Sequence, residues 1–331
     1  MTDAGRTWRG GPDPARGADL PTRVREFTWR YRGRRQRMRV AIPGWLLAYY
    51  AGRPRTPPYP TFVADPFDRD LVGAIADRVR AFADRNDLSP RERVTFAARF
   101  VQAIEYVPDT VSTDYSDYHR FPVETLVHRG GDCEDAAILL AAVLDALGED
   151  AALVVFEDHV LVGVALPDGP APGDAYYAVA DRRYLILETT ATGWDPGDCH
   201  ADYEGEPAEV HPIGRHPILT HRFRADASRG RARLRVDVTN LGARGVSPVD
   251  ALVVFRDRSG DTVVRRQLRG ANGEGVQVAP SGTRRLRGSV SIPDEPLRAV
   301  AKVRVDYRLW DESDGGLAPA ADDAVATARG G

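Results

Sequence analysis

The sequence predicts an α+β fold followed by an all-β module, on three observations. The segment Ala136 to Leu147 is apolar on nearly every side, which marks a central buried helix. Amphipathic helical stretches precede it and short β-like runs follow, so the order is helices first, then sheet. From about Phe223 to Asp311 short alternating strands are punctuated by Gly, Asn, Asp and Pro, the pattern of a β-sandwich of immunoglobulin-like architecture.

The 331 residues suggest about two domains, and 43% hydrophobic with 28% charged residues is an ordinary globular composition. A formal net charge of -3 gives no general attraction to nucleic acid. Of the 45 basic residues only Lys302 is lysine, a bias read as base composition of the gene rather than as phosphate recognition. Cys133 and Cys199 are expected to be reduced, because a chain this long needs no staple and no secretory leader is seen; the expected compartment is cytoplasmic. The early apolar run Trp45 to Tyr50 is far short of the roughly 20 residues that span a bilayer.

Taken in order, residues 1–20 lack apolar periodicity and are expected to be a disordered lead. From Thr22 to Val40, Phe27, Trp29 and Tyr31 alternate with arginines on either side of Gly33, which predicts a β-hairpin with one buried and one arginine-rich face. That solvated face accounts for the arginines without nucleic acid. Residues 51–67 form a proline-rich traverse. Asp68 to Asn86 is an amphipathic helix on Leu71, Val72, Ile75, Val79 and Phe82, and Ser89-Pro90 starts a second that turns Val94, Ala97, Phe100, Val101 and Ile104 inward. A loop from Pro108 to Arg120 then leads through Phe121-Pro122-Val123-Glu124-Thr125-Leu126 to a glycine turn.

That turn, Gly130-Gly131-Asp132-Cys133-Glu134-Asp135, feeds the central helix. Asp132 is placed to cap it, Gly148 to stop it, and the paired glycines to admit a close neighbour to the backbone. Cys133 falls at the first helical position, where free N–H groups and the helix dipole favour the nucleophilic thiolate. Downstream, β-like runs cover Ala152 to Phe156, His159 to Leu166, Tyr176 to Ala180 and Tyr184 to Glu188. His159 opens one strand and Glu188 closes another, so both are expected at one edge of a sheet packed on the cysteine helix. A nucleophile, a base and an orienting acid would meet there.

These residues resemble the transglutaminase-like superfamily of papain-fold thiol enzymes, and within it the uncharacterised archaeal and bacterial branch. The matching words are Tyr106-Val107-Pro108-Asp109, Phe121-Pro122-Val123-Glu124-Thr125-Leu126, Gly130-Gly131-Asp132-Cys133-Glu134-Asp135, Asp158-His159-Val160 and Leu187-Glu188-Thr189-Thr190, over about residues 22–200. The resemblance implies a papain-like core with Cys133 as nucleophile, His159 as general base and then acid, and Glu188 holding the imidazole. The family normally has Asp in that third place, and Glu188 is one methylene longer; Asp181 competes for the role, with Asp158 behind it. The oxyanion hole would use the Cys133 N–H within the Gly131–Asp132 turn, with a further donor from Gln102 or Tyr118.

Cys199, His200, His211, His216 and His221 fit no standard zinc spacing, and no metal or other cofactor is expected. Gly130-Gly131 lacks the ending of a phosphate-binding loop. The expected division is a lead over 1–20, a transglutaminase-like domain with its hairpin over 21–222, a β-sandwich over 223–311 for docking or stability, and a disordered tail over 312–331. The expected activity is attack on an amide or isopeptide bond through an acyl-Cys133 intermediate, as a peptidase or amidase before a cross-linker, with a peptide or protein as substrate and neither nucleic acid nor membrane as partner. The alternative is a catalytically silent binding or scaffold protein on the same fold.

Overall fold

The structure, a computed structural model, describes residues 6–10, 19–51, 58–112, 118–294, 296–305, 308–311 and 325–326. The chain divides into two compact units, one of residues 17–50, 59–216 and 321–331, the other of residues 1–16, 51–58 and 217–320.

The first unit is organised around the helix Cys133–Leu147. Local chemistry sets both of its ends. The Asp132 carboxylate accepts from the Asp135 N–H at 3.4 Å, the Asp135 carboxylate accepts in return from the Asp132 N–H at 3.4 Å, and Gly148 stops the helix at a φ of 86°. Ile138, Leu139, Leu140, Val143 and Leu144 are completely buried, so the helix is enclosed over most of its surface, with Asp145 exposed near its C-terminal end. Truncating one of these to alanine costs about 2–5 kcal/mol. Around it pack the helices Tyr59–Ala64, Arg69–Arg85, Pro90–Val101 and Pro122–His128 and one face of a sheet.

That sheet is antiparallel, in the order Ala208–Pro212, Asp150–Val155, Val160–Ala165, Arg182–Leu187, Tyr176–Val179. Its side chains alternate with period two. Leu153, Val160, Val162, Val164, Leu185 and Leu187 join the helix core, while Ala152, Val154, Leu161, Tyr184 and Ile186 form a second apolar cluster. The pairing of Val155 with Val160 puts His159 in a tight turn, and the pairing of Val162 with Leu187 puts Glu188 just past a strand end on the same side. Both residues therefore reach one edge of the sheet.

The hairpin forms from Arg23–Tyr31 and Arg34–Ile42. Phe27, Trp29 and Tyr31 pack inward on Phe96 and Phe100 of Pro90–Val101, with ring centroids 5.0–5.6 Å apart. Two stretches differ from expectation. Phe121 to Leu126, which carries no predicted element, enters a helix: Pro122 sits at its first position and Glu124 Oε2 accepts from the Phe121 N–H at 3.0 Å. The traverse over 51–67 contains the helix Tyr59–Ala64, while residues 52–57 lie outside the described residues. No helix among the described residues is long and apolar enough to cross a membrane.

The second unit consists of two antiparallel sheets sharing one apolar core. One runs Arg6–Gly10, Leu219–Ser228, Arg231–Asn240, Thr283–Ser291; the other runs Thr262–Leu268, Val246–Arg256, Arg298–Val305, Arg308–Asp311, with Val276–Val278 also on Val246–Arg256. Phe223, Leu234, Val236 and Leu286 from the first meet Val253, Phe255 and Val303 from the second. The lead expected to be disordered thus supplies a strand, Arg6–Gly10, whose partner lies more than 200 residues away in sequence. The strand Leu219–Ser228 crosses the expected boundary at 222. The expected disorder of the tail lies outside the described residues, except for Val325–Ala326, which pairs with Ala208–Pro212.

Candidate active site

The glycine turn is shaped by the protein's own atoms. A side chain on Gly131 would place its Cβ 2.5 Å from Asp135, and one on Gly130 would lie 2.9 Å from Val107. The close neighbours that the glycines admit are therefore the Asp135 carboxylate and the strand Glu105–Tyr106, which pairs in parallel with Gly130–Gly131. Asp135, fully buried, accepts from the Arg120 N–H at 2.7 Å and pairs with the Arg120 guanidinium, which also lies 3.3 Å from Asp109. Burial raises Asp135 to about 6 against the pull of Arg120. Burial, then Asp135 and Glu134, raise Asp132 to about 8. The carboxylates of Asp109, Asp132 and Asp135 come within 4.8 Å of one another, the kind of cluster that holds a cation, and the cation within it is Arg120.

Cys133 is the first residue of the helix, so its N–H has no intrahelical partner. Its thiol is 8% exposed and donates to Glu134 Oε2 at 2.8 Å. Burial, then the neighbouring Glu134 carboxylate, push the thiol well above its ordinary range, opposed by the nearby backbone N–H of Val160. The expected thiolate is thus corrected to a thiol in this conformation, because desolvation and a carboxylate one residue away outweigh the helix terminus. Val160 is the residue directly after His159, so the sulfur lies near that turn, but its hydrogen bond in this conformation is to Glu134 and none joins it to His159.

His159 Nε2 lies 3.1 Å from Glu188 Oε2. The other oxygen, Oε1, accepts from the Thr189 N–H at 2.8 Å, the Thr190 N–H at 2.9 Å and the Thr190 hydroxyl at 2.8 Å. Burial pushes Glu188 up, but the hydrogen bonds from His159 and Thr190 win and hold it at about 2, an ionised carboxylate at neutral pH. With Nε2 engaged, Nδ1 is the ring nitrogen left to work on a thiol. The competitors lie elsewhere. Asp181 sits in the turn between Tyr176–Val179 and Arg182–Leu187, a strand length of roughly 20 Å from Glu188. Asp158 is exposed in the turn ahead of His159.

Both expected side-chain oxyanion donors are committed to other acceptors. Gln102 Nε2 donates to the Glu188 carbonyl at 2.9 Å and the Trp194 carbonyl at 3.0 Å, and its Oε1 accepts from Arg99 at 2.7 Å and the Gly193 N–H at 3.3 Å. Gln102 ties the segment after Glu188 to the C-terminal cap of Pro90–Val101. Tyr118 donates its hydroxyl to Glu124 at 3.2 Å. The sequence did not single out Tyr203, whose ring stacks on the His159 imidazole at 4.9 Å and 20°. It lies in a stretch read as connector, with no local signal. Of the connector histidines, His211 and His216 come within 5.8 Å of each other, but no cation-holding group among the described residues includes them.

No family model matches the chain, and no curated protein matches it. Solved structures do resemble it. EGTA-treated Legionella pneumophila LapG is 17% identical with a TM-score of 0.28, over 50% of this chain and 83% of its own. A second LapG structure is 18% identical with a TM-score of 0.28, over 49% and 84%. Red sea bream transglutaminase is 10% identical with a TM-score of 0.29, over 88% of this chain and 61% of its own. Likenesses this low assign no chemistry to any residue here.

Proposed function

We propose that the first unit is a thiol hydrolase or acyltransferase of the transglutaminase-like type, acting on an amide or isopeptide bond of a peptide or protein. The observation that carries this reading is the 3.1 Å pair of His159 Nε2 and Glu188 Oε2 at the sheet edge where the Cys133 sulfur meets Val160. His159 Nδ1 takes the Cys133 proton as the sulfur attacks the amide carbonyl carbon. The C–N bond then breaks, and the imidazolium returns that proton to the leaving nitrogen. Water, deprotonated by the same nitrogen, or an amine takes the acyl group and frees the sulfur. Glu188 holds the tautomer and stabilises the imidazolium, and the Cys133 N–H faces the oxyanion. Glu134 must leave the thiol before the first step.

Hydrolysis is favoured over cross-linking because water needs no second binding site. The second unit is read as a docking or stabilising module. One observation favours a silent binding protein instead: the buried thiol is held by Glu134 and disfavoured as a thiolate.

The deciding experiment is the pH dependence of iodoacetamide labelling at Cys133, located by peptide mass mapping, in the native chain and in His159→Ala and Glu188→Ala. An enzyme loses labelling rate in both variants, on the order of tenfold or more for His159→Ala. Equal and slow labelling in all three chains would sink the catalytic reading and leave the binding one.

A further inference from the structure

We propose that the solvent face of the hairpin docks an extended acidic segment of another polypeptide, with one carboxylate side chain seated between Arg37, Arg39 and Arg78. These arginines, with Val24 and Ala41, line an open concavity of about 510 Å³. Residues 22–42 carry eight arginines and one glutamate in a chain whose net charge is -3. Glu26, directly opposite Arg39 across the hairpin, gives its carboxylate to Arg37, so neither Arg39 nor Arg78 is in an ion pair among the described residues. Arg32, further along the hairpin, pairs with Glu92, so the charge left without an ion pair around the concavity is that of Arg39 and Arg78.

The spacing selects the ligand. Arg35, Arg37 and Arg39 are exposed on one face of one strand, about 6.7 Å apart at successive steps of two residues. An extended polypeptide with an acidic residue at every second position repeats at the same interval, and each guanidinium offers a carboxylate two parallel hydrogen bonds. Val24, 48% exposed, and Ala41 give the concavity an apolar floor for the stem of a Glu side chain. Single-stranded nucleic acid fits less well, because it binds through aromatic stacking and Phe27, Trp29 and Tyr31 are all buried against the helix beneath. This inference is independent of the thiol chemistry.

The test is fluorescence anisotropy of the full chain with a labelled peptide of alternating Glu and Ser, a peptide with Gln for each Glu, and a single-stranded oligonucleotide. The Glu peptide is expected to bind at least about tenfold more tightly than the Gln peptide and to weaken as salt is raised. Arg39→Glu with Arg78→Glu is expected to weaken binding by at least about tenfold at an unchanged thermal midpoint. If that pair does not fold, Arg39→Gln with Arg78→Gln replaces it, with a smaller loss expected. The proposal is overturned if the Glu and Gln peptides bind alike, if the folded variant binds as the native chain does, or if the oligonucleotide binds more tightly than the Glu peptide.

Discussion

Replacing Glu188 by glutamine changes one atom and divides the work of its carboxylate. In the native chain Oε1 takes three donors from Thr189 and Thr190 while Oε2 faces His159. A glutamine must keep its oxygen toward those donors, which turns its NH2 toward His159 Nε2, forces the ring proton onto Nδ1 and removes the base. The folded chain holds Glu188 at about 2 against an ordinary 4.5. At ~1.4 kcal/mol per pH unit that lowering is worth at most ~3.5 kcal/mol, and solvent screening brings it to about 1–2 kcal/mol. Because the folded value is depressed, this stability is present above pH 4.5 and is lost as the pH falls toward 2. Urea unfolding between pH 2 and 7 measures it as the difference between native and Glu188→Gln. The native advantage should shrink by about 1–2 kcal/mol across that acid window, and Cys133 alkylation at neutral pH should slow in the variant. If the two stability profiles run parallel through the window, the carboxylate is not held by His159 and Thr190, and the argument fails.

Glu134→Gln should lower the labelling midpoint of Cys133 yet leave it above the ordinary thiol value, because burial, the larger cause, is untouched; alkylation rate against pH checks this. Gly131→Ala should destabilise the first unit by about 1–3 kcal/mol, read as a lower Tm, because the new Cβ would lie 2.5 Å from Asp135. Asp132 is raised from 3.8 to about 8, so it contributes stability below pH 3.8 that is lost as the pH rises toward 8. Asp132→Asn, which keeps the cap, should flatten that part of the stability profile in urea unfolding.

The central helix and its caps were legible in the sequence because Asp132, Asp135 and Gly148 act on neighbours within one turn. His159 and Glu188 were legible as strand ends, since period-two runs show where a strand begins and stops. What the pattern hid was interaction at long range or in side-chain rotation. The Arg6–Gly10 strand exists through backbone pairing with Leu219–Ser228, and Tyr203 covers His159 from a stretch with no period at all. The hold of Glu134 on the Cys133 sulfur is a rotamer choice between adjacent residues. The Pro122–His128 helix did carry its start signal, Pro122 followed by Glu124, but at seven residues it is too short for periodicity to register. Gln102 was singled out as an oxyanion donor, but its side-chain NH2 is engaged by two backbone carbonyls, which no local pattern announces.

The extra methylene of Glu188 makes the site unforgiving in one direction. A side chain of this reach can lay one oxygen on its own following turn and still extend the other to the imidazole. An aspartate, one methylene shorter, has to abandon one of those anchors. The turn over Thr189 and Thr190 and the acid are thus matched as a set: shortening the acid alone is harmful, and a shorter acid becomes acceptable only after the turn itself has been rebuilt around it.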